Sequence, residues 1–319
     1  MRGIAVDDTA PGGEESAIPA TGRSQASAHA STVRVAFVGP SELIDRHAPA
    51  APARGIEHRS FAIEPWEDRS HALDLVRAHA ADVTVVLRPG VFSADALGGL
   101  AGVTLGVLDA PIRDGEDANA LDRLDRLLSF DPLLTGMHIA RSVLWRAVPP
   151  PVSDRLFGDV RELHRAPRVM SIGHSTRHRE AMLIEAKHRH DLLQVVHGVN
   201  GADLLELLRE YDVAVHIAPE DGGGGCGWQV TLHLAAGQLL LSEPLVPARG
   251  LESDIDYVRV DSPEGLAWTL ERLARFPEMH QRVRIRGRLK AEQFRASTVF
   301  ARIVHDLLLD VEAFGARAS

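Results

Sequence analysis

The chain has 319 residues, 45% of them hydrophobic and 25% charged, with 44 acidic side chains against 35 Lys and Arg for a formal net charge of −9. That length and balance suit one large or two medium globular domains, and the acidic total argues against a general nucleic-acid binder. No stretch approaches the roughly 20 apolar residues of a membrane span, and a single cysteine, Cys226, excludes an internal disulfide and any multi-cysteine metal site.

The opening MRGIAVDDTAPGGEES lacks the charged start and apolar core of a signal peptide, so a cytoplasmic setting is expected. Residues 1–32 are rich in Ala, Ser, Gly, Pro and Thr without periodicity and read as a disordered tail. Order is expected from VRVAFVG (33–39), a β-branched run stopped by Gly39-Pro40. Strand and helix then alternate: HRSFAI (58–63), SHALDLVRAHA (70–80), DVTVVLRPG (82–90), SADALGGL (93–100), VTLGVLD (103–109) and ANALDRLDRLLSF (118–130). The last of these carries leucines at helical spacing and is expected to be a helix. The three prolines of VPPPV (148–152) favour a stiff, extended connection. They place a boundary between a first domain, 33–150, and a second, 151–319.

The second series runs PRVMSIG (167–173), strand; STRHREAMLIEAKHRH (175–190), helix with Ser175 or Thr176 as its cap; DLLQVVHG (191–198), strand; GADLLELLREY (201–211), helix. DVAVHIAP (212–219) is a strand that leads into the glycine run GGGG (222–225). WQVTLHLAA (228–236) is a helix, and QLLLSEPL (238–245) and DYVRV (256–260) are strands. PEGLAWTLERLARF (263–276) is a helix with Pro263 near its first position, and helical patterns run from 277 to about 314. Two alternating series imply α/β architecture: two Rossmann-like, doubly wound domains facing a cleft, closed by C-terminal helices.

In such folds ligands sit at the carboxyl ends of strands beside helix N-termini. The turn SIGHSTRHRE offers Gly173, His174, Ser175, Thr176, Arg177 and Arg179 around a helix start, donors and cations suited to a phosphate; the alternative is a capped helix with solvated arginines. Gly223, Gly224 and Gly225 would let backbone N–H groups approach a ligand closely, or form an unliganded surface loop. Glu243 and Glu252 follow a buried strand, where a carboxylate can accept from ribose hydroxyls; the alternative is an acidic, solvated loop. Arg88 and Asp109 close strands of the first domain and are cleft candidates by topology. No histidine lies in HExxH or beside paired cysteines, so no metal site is expected. His216 and His233 read as buried, hydrogen-bonded side chains. Cys226 has no local acid or histidine partner and reads as an inert thiol. Arg282, Arg286 and Lys290 make a basic helical stripe, read as a solvated face rather than a nucleic-acid surface.

The blocks SIGHSTRHREAML, HGVNGADLLELLREYDVAVHIAP and LHLAAGQLLLSEPLVPARGLESDIDYVRV resemble the C-terminal half of group 1 glycosyltransferases, nearest the branch of the spore-maturation CgeB proteins. RGRLKAEQFRASTVFARIVHDLL resembles that branch's terminal helices, and LRPGVF and LWRAVPPPVSDRLF extend the likeness loosely into the first domain. The resemblance implies a GT-B fold, with a nucleotide-diphosphate sugar as substrate bound mainly by the second domain, and an unidentified acceptor bound by the first. It implies no cofactor and no metal. Arg177, Arg179 and Lys187 would neutralise the diphosphate, while the glycine loop, Gln229, Glu243 and Glu252 would hold the donor. The chain departs from the family at its two usual glutamates, where Gly224 and Leu232 stand, and at a common arginine, where His174 stands. A catalytically silent GT-B protein that binds a nucleotide sugar or a partner is therefore the second reading, and a sugar-nucleotide epimerase a third.

Overall fold

The computed structural model describes residues 32–64, 67–131, 134, 144–160, 162, 166–196, 198–220 and 225–316; the expected N-terminal tail, Gly223 and Gly224 lie outside them. Residues Thr32–Ser319 form one compact unit containing two sheets.

The first sheet is built from β1 (Val33–Pro40), β2 (Ile56–Ile63), β3 (Val83–Leu87), β4 (Val103–Leu108), β5 (Arg126–Ser129) and β6 (Leu144–Ala147), in the order β2-β1-β3-β4-β5-β6, all parallel. The second comprises β7 (Val169–Ile172), β8 (Leu192–Val195), β9 (Val213–His216), β10 (Leu239–Ser242) and β11 (Val258–Arg259), also parallel, in the order β11-β10-β9-β7-β8. Both share one winding: the second strand lies outside the first, and the third lies on its other side. The order therefore reverses between β1 and β3 and between β7 and β9, where an open sheet leaves a crevice at its carboxyl edge. Every residue of β3, β7, β9 and β10 is buried, as parallel strands covered on both faces require.

The helices supply those covers. Around the first sheet lie α1 (Ser41–His47), α2 (Arg69–His79) and the single turn α3 (Ala94–Leu97). Asp68 caps α2 by accepting from Ser70 N at 2.9 Å. Around the second lie α4 (Arg177–Arg189), α5 (Gly201–Glu210), α6 (Trp228–Ala235), α7 (Pro263–Arg275) and α8 (Gln281–Lys290). Thr176 caps α4 through Arg179 N at 3.2 Å; Ser262 caps α7 through Gly265 N at 3.0 Å, with Pro263 in the first turn. Leu204 and Leu208 of α5 and Val230, Leu232 and Leu234 of α6 fill one face of the second sheet. Met182, Leu183 and Ala186 of α4 and Leu266, Leu270 and Leu273 of α7 fill the other. Each such buried Leu contributes roughly 1.5–3 kcal/mol.

The last helix, α9 (Ala296–Phe314), follows the second sheet in sequence but covers the first: Val299, Phe300, Ile303, Val304 and Leu307 join Val35, Phe37, Val85 and Leu105 in one core. Phe37 and Phe300 meet edge to face with ring centroids 4.9 Å apart. The expected helix over 118–130 is instead a 3-10 turn, Ala118–Arg123, followed by β5. Leu121, Leu124 and Leu127 are fully buried, and their spacing suits a buried helix as well as a buried strand, so a short apolar run does not distinguish the two. What fixes the strand is long-range. Buried Asp125 accepts from Thr104 N at 2.8 Å and from its Oγ1 at 2.9 Å, setting the start of β5 beside β4. Among the described residues no helix is long and apolar enough to cross a membrane.

Candidate functional site

The carboxyl ends of both sheets border one cleft of about 830 Å³. From the first sheet come Glu42 and Arg46 of α1, Arg88 after β3, Asp109 after β4, and Phe130 and Asp131 after β5. From the second come Gly173 and His174 after β7, Val196 and Gly198 after β8, Gly225–Gln229 before and within α6, and Val246, Pro247 and Arg249 after β10. Of the residues expected at a site, Gly173, His174, Arg179, Gly225, Gln229, Arg88 and Asp109 line this cleft.

Arg179, 7% exposed, braces the second wall: its Nε donates to Ile217 O at 2.8 Å and its Nη1 to His174 O at 2.9 Å. Burial lowers its pKa, and the Glu243 charge opposes that shift. Gly173 has φ +146°, and a Cβ there would collide with the Arg179 guanidinium. Glycine is thus required at the end of β7 for the arginine to pass behind it. Gln229 Nε2 donates to Ile172 O at 3.1 Å, tying the first turn of α6 to β7.

The other expected residues that the structure describes lie away from the cleft lining. Glu243 is turned inward: Oε2 accepts from Ala218 N at 2.8 Å and Oε1 pairs with His178 Nε2 at 2.8 Å, so both oxygens hold strand ends together rather than facing a ribose. Glu252 is exposed beyond the rim, its backbone N–H donating to Asp256. Lys187 pairs with Glu180 at 2.6 Å, and Ser175 Oγ donates to the same carboxylate at 2.7 Å. These bonds, with one from Gln194, hold Glu180 down to about 2. Thr176 is the cap of α4, and Arg177 is exposed on its first turn.

The first wall carries charge in pairs. Arg88 has φ +54°, and its Nε donates to Asp109 Oδ1 at 3.0 Å while Nη2 reaches Oδ2; Glu42 lies 3.6 Å from Nη1. Burial opposes the guanidinium charge, yet the Asp109 hydrogen bonds and charge outweigh it and raise the Arg88 pKa. Arg46 bridges the two walls. Its Nη2 donates to Asn200 Oδ1 at 2.6 Å and its guanidinium lies 4.3 Å from the Trp228 ring centre. Glu42, Arg46, Asn200 and Trp228 carry no local motif, and their meeting across 154 residues of sequence was not readable from the chain.

Cys226 is buried in the second core, and burial pushes its thiol up to about 12, with Arg249 pulling the other way. Folded protein is expected to resist iodoacetamide at pH 8, with labelling appearing only on denaturation; rapid native labelling, read by intact mass, would contradict an inert thiol. Among the described residues no group of three His, Cys, Asp or Glu side chains is placed to hold a metal ion.

No protein-family model matches the chain, and no curated protein matches it by sequence. Its structure is similar to that of Anabaena HepE in complex with UDP and glucose, with a TM-score of 0.50 and 10% identity over 86% of this chain and 99% of that one. It is also similar to sucrose-phosphate synthase from Thermosynechococcus elongatus, with a TM-score of 0.52 and 10% identity over 87% of this chain and 99% of that one. Two parallel, helix-covered sheets with the carboxyl ends of both lining one cleft are the GT-B fold, and this chain has it.

Proposed function

We propose that the protein is a glycosyltransferase of the group 1, CgeB-like type, moving a sugar from a nucleotide-diphosphate donor to an acceptor held by the first wall. The observation that carries this reading is the cleft, where the crevices of two identically wound sheets meet and arginines face it from both walls. HepE, of the same fold, is seen with UDP-glucose. In this reading the donor lies along Gly173, His174 and Gly225–Gln229, with the cationic wall and backbone N–H groups, rather than a metal ion, meeting the diphosphate. Of the three cations suggested for that task, Arg179 alone lines the cleft.

A silent nucleotide-sugar binder is the second reading, favoured by one observation. Leu232, where the family's glutamate is usual, points into the second core at 2% exposure, and Glu243 is occupied behind the cleft. Thermal melting with UDP, GDP, ADP and dTDP tests both. A nucleotide at 100 times its Kd is expected to add about 2.7 kcal/mol. If none of the four shifts melting, the donor reading is wrong. Binding without donor hydrolysis or transfer selects the silent protein.

A further inference from the structure

In a chain of net charge −9, the ten residues of α8 carry five Lys or Arg and no Asp or Glu. The helix is also inverted for one that packs on a sheet. Its buried side holds Arg284, whose Nε donates to Gly237 O at 2.7 Å, and Gly287, where a Cβ would strike Asp256 O. Of its aliphatic residues Val283 packs against the core, whereas Ile285 and Leu289 stand in solvent, 42% and 66% exposed.

The cations divide accordingly. Arg284 and Arg288 are committed inward, Arg288 through Gly158 O at 2.6 Å and Glu292 at 2.7 Å. Arg282, Ile285, Arg286 and Leu289 fall at i, i+3, i+4 and i+7, one side of a helix, with Lys290 beside them. Arg282 and Arg286 are both exposed. Arg286 comes within 4.0 Å of one carboxylate, Asp256, which is buried and already accepts from Glu252 N. Among the described residues no ion pair holds Arg282 or Lys290.

Cations interleaved with exposed aliphatic side chains are complementary to an anionic lipid surface, where the cations meet phosphates and the aliphatic groups enter the headgroup boundary. A nucleic acid would use the cations but leave Ile285 and Leu289 in water, and α8 has no aromatic ring to stack on a base. The face also reaches the cleft. Lys290 Cε lies 3.9 Å from where a Cβ of Gly250 would stand, and Gly250 follows cleft-lining Arg249.

We propose that the exposed face of α8 docks the protein reversibly on an anionic bilayer, with the rim of the cleft beside the lipid. The rest of the chain is acidic and is repelled by such a surface, so the patch orients the protein as well as holding it. Docking stands apart from the donor reading; that the acceptor is then a lipid-borne molecule rests on it.

Sedimentation of the full chain with vesicles of phosphatidylcholine, alone or mixed with phosphatidylglycerol, tests the docking. Wild type is expected to bind the anionic vesicles only and to leave them as salt rises. Each cation adds about fivefold to partitioning, so the Arg282→Gln, Arg286→Gln protein should bind about 25-fold more weakly. The Ile285→Ser, Leu289→Ser protein should lose about tenfold and keep its salt dependence. Melting curves establish folding, and Arg286→Gln alone carries the test if a double variant does not fold. No binding to anionic vesicles, equal binding to neutral ones, or unchanged partitioning of the folded variants overturns the proposal. A DNA duplex bound through Arg282 and Arg286 in place of vesicles would make the face a nucleic-acid surface instead. Self-association in place of vesicle binding, abolished by the serine pair, would make it an interface between copies. The assay reads neither nucleotide binding nor transfer, so its failure and that of the donor reading are separate results.

Discussion

Between pH 6.5 and about 4 the protein is expected to lose stability by about 1.4 kcal/mol per pH unit for each of three buried histidines, His47, His216 and His233. Burial lowers His47 and His233 to about 4 and His216 to about 3. His47, 3% exposed, donates from Nδ1 to Pro151 O at 2.7 Å and packs 4.8 Å from Phe130; Asp109, Arg46 and Arg88 act on it from the cleft side. His233 donates from Nδ1 to Gln238 Oε1 at 2.6 Å, and that amide is oriented by its own donation to Tyr211 O at 3.0 Å. His216, at the end of β9, is lowered by burial first, with Arg179 adding to it, and its Nε2 is buried without a hydrogen-bond partner among the described residues, so of the two rings expected to be buried and hydrogen-bonded only His233 is bonded.

The folded pKa values lie below the unfolded value of 6.5, so the unfolded chain takes up protons first as the pH falls. Stability is therefore nearly flat well above 6.5 and declines toward 4, with a combined slope that approaches about 4 kcal/mol per pH unit near pH 5 and eases toward pH 4 as the folded rings begin to titrate, against a total of about 5–15 kcal/mol for a domain. The hydrogen-bonded carboxylates Glu180 and Glu292, held to about 2, add losses in the same direction only below their ordinary 4.5. Urea midpoints measured from pH 7.5 to 4 read the slope. Replacing His233 by Gln should remove about a third of it, while a flat profile above pH 4.5 would show that these rings are not buried neutral.

Much of the architecture was legible because its signals are local. Buried β-branched runs mark β1, β3 and β9, Thr176 announces the start of α4, and Pro263 that of α7, where a helix tolerates it. The segment 118–130 was misread because its leucines satisfy both a helix and a strand, and the deciding bond, Asp125 to Thr104, joins residues 21 apart. That α9 covers the first sheet is a property of its partners rather than its own pattern.

The site divides along the same line. Gly173, His174, Arg179, Gly225 and Gln229 were readable because strand-to-helix loops must meet at the carboxyl edge. The direction of a side chain leaving such a loop is set by neighbours distant in sequence. Glu243 was therefore readable as a strand-end carboxylate but faces Ala218 and His178, while Arg249, whose backbone amide rather than its side chain the sequence offers for a phosphate, lines the cleft.

Asp109→Ala is expected to destabilise the protein by about 3 kcal/mol, because it removes the acceptor of both Arg88 bonds while the guanidinium stays 10% exposed in the wall of the cleft. Glu42, 3.6 Å from Nη1 and 39% exposed, can repair only part of that loss. Asp109→Asn retains one acceptor and should lose about half as much. The charge, not the shape, is the cause, and a double-mutant cycle isolates it. Arg88→Met removes the stranded charge, so the Asp109→Ala, Arg88→Met protein should be more stable than the sum of the single losses by about 2 kcal/mol, measured by urea unfolding. The sign of that coupling bears on function as well as stability. A pair whose partners strongly need each other is a fixed part of the first wall, with its guanidinium committed to Asp109; additive losses would mean that Arg88 is held elsewhere and is itself available to a ligand.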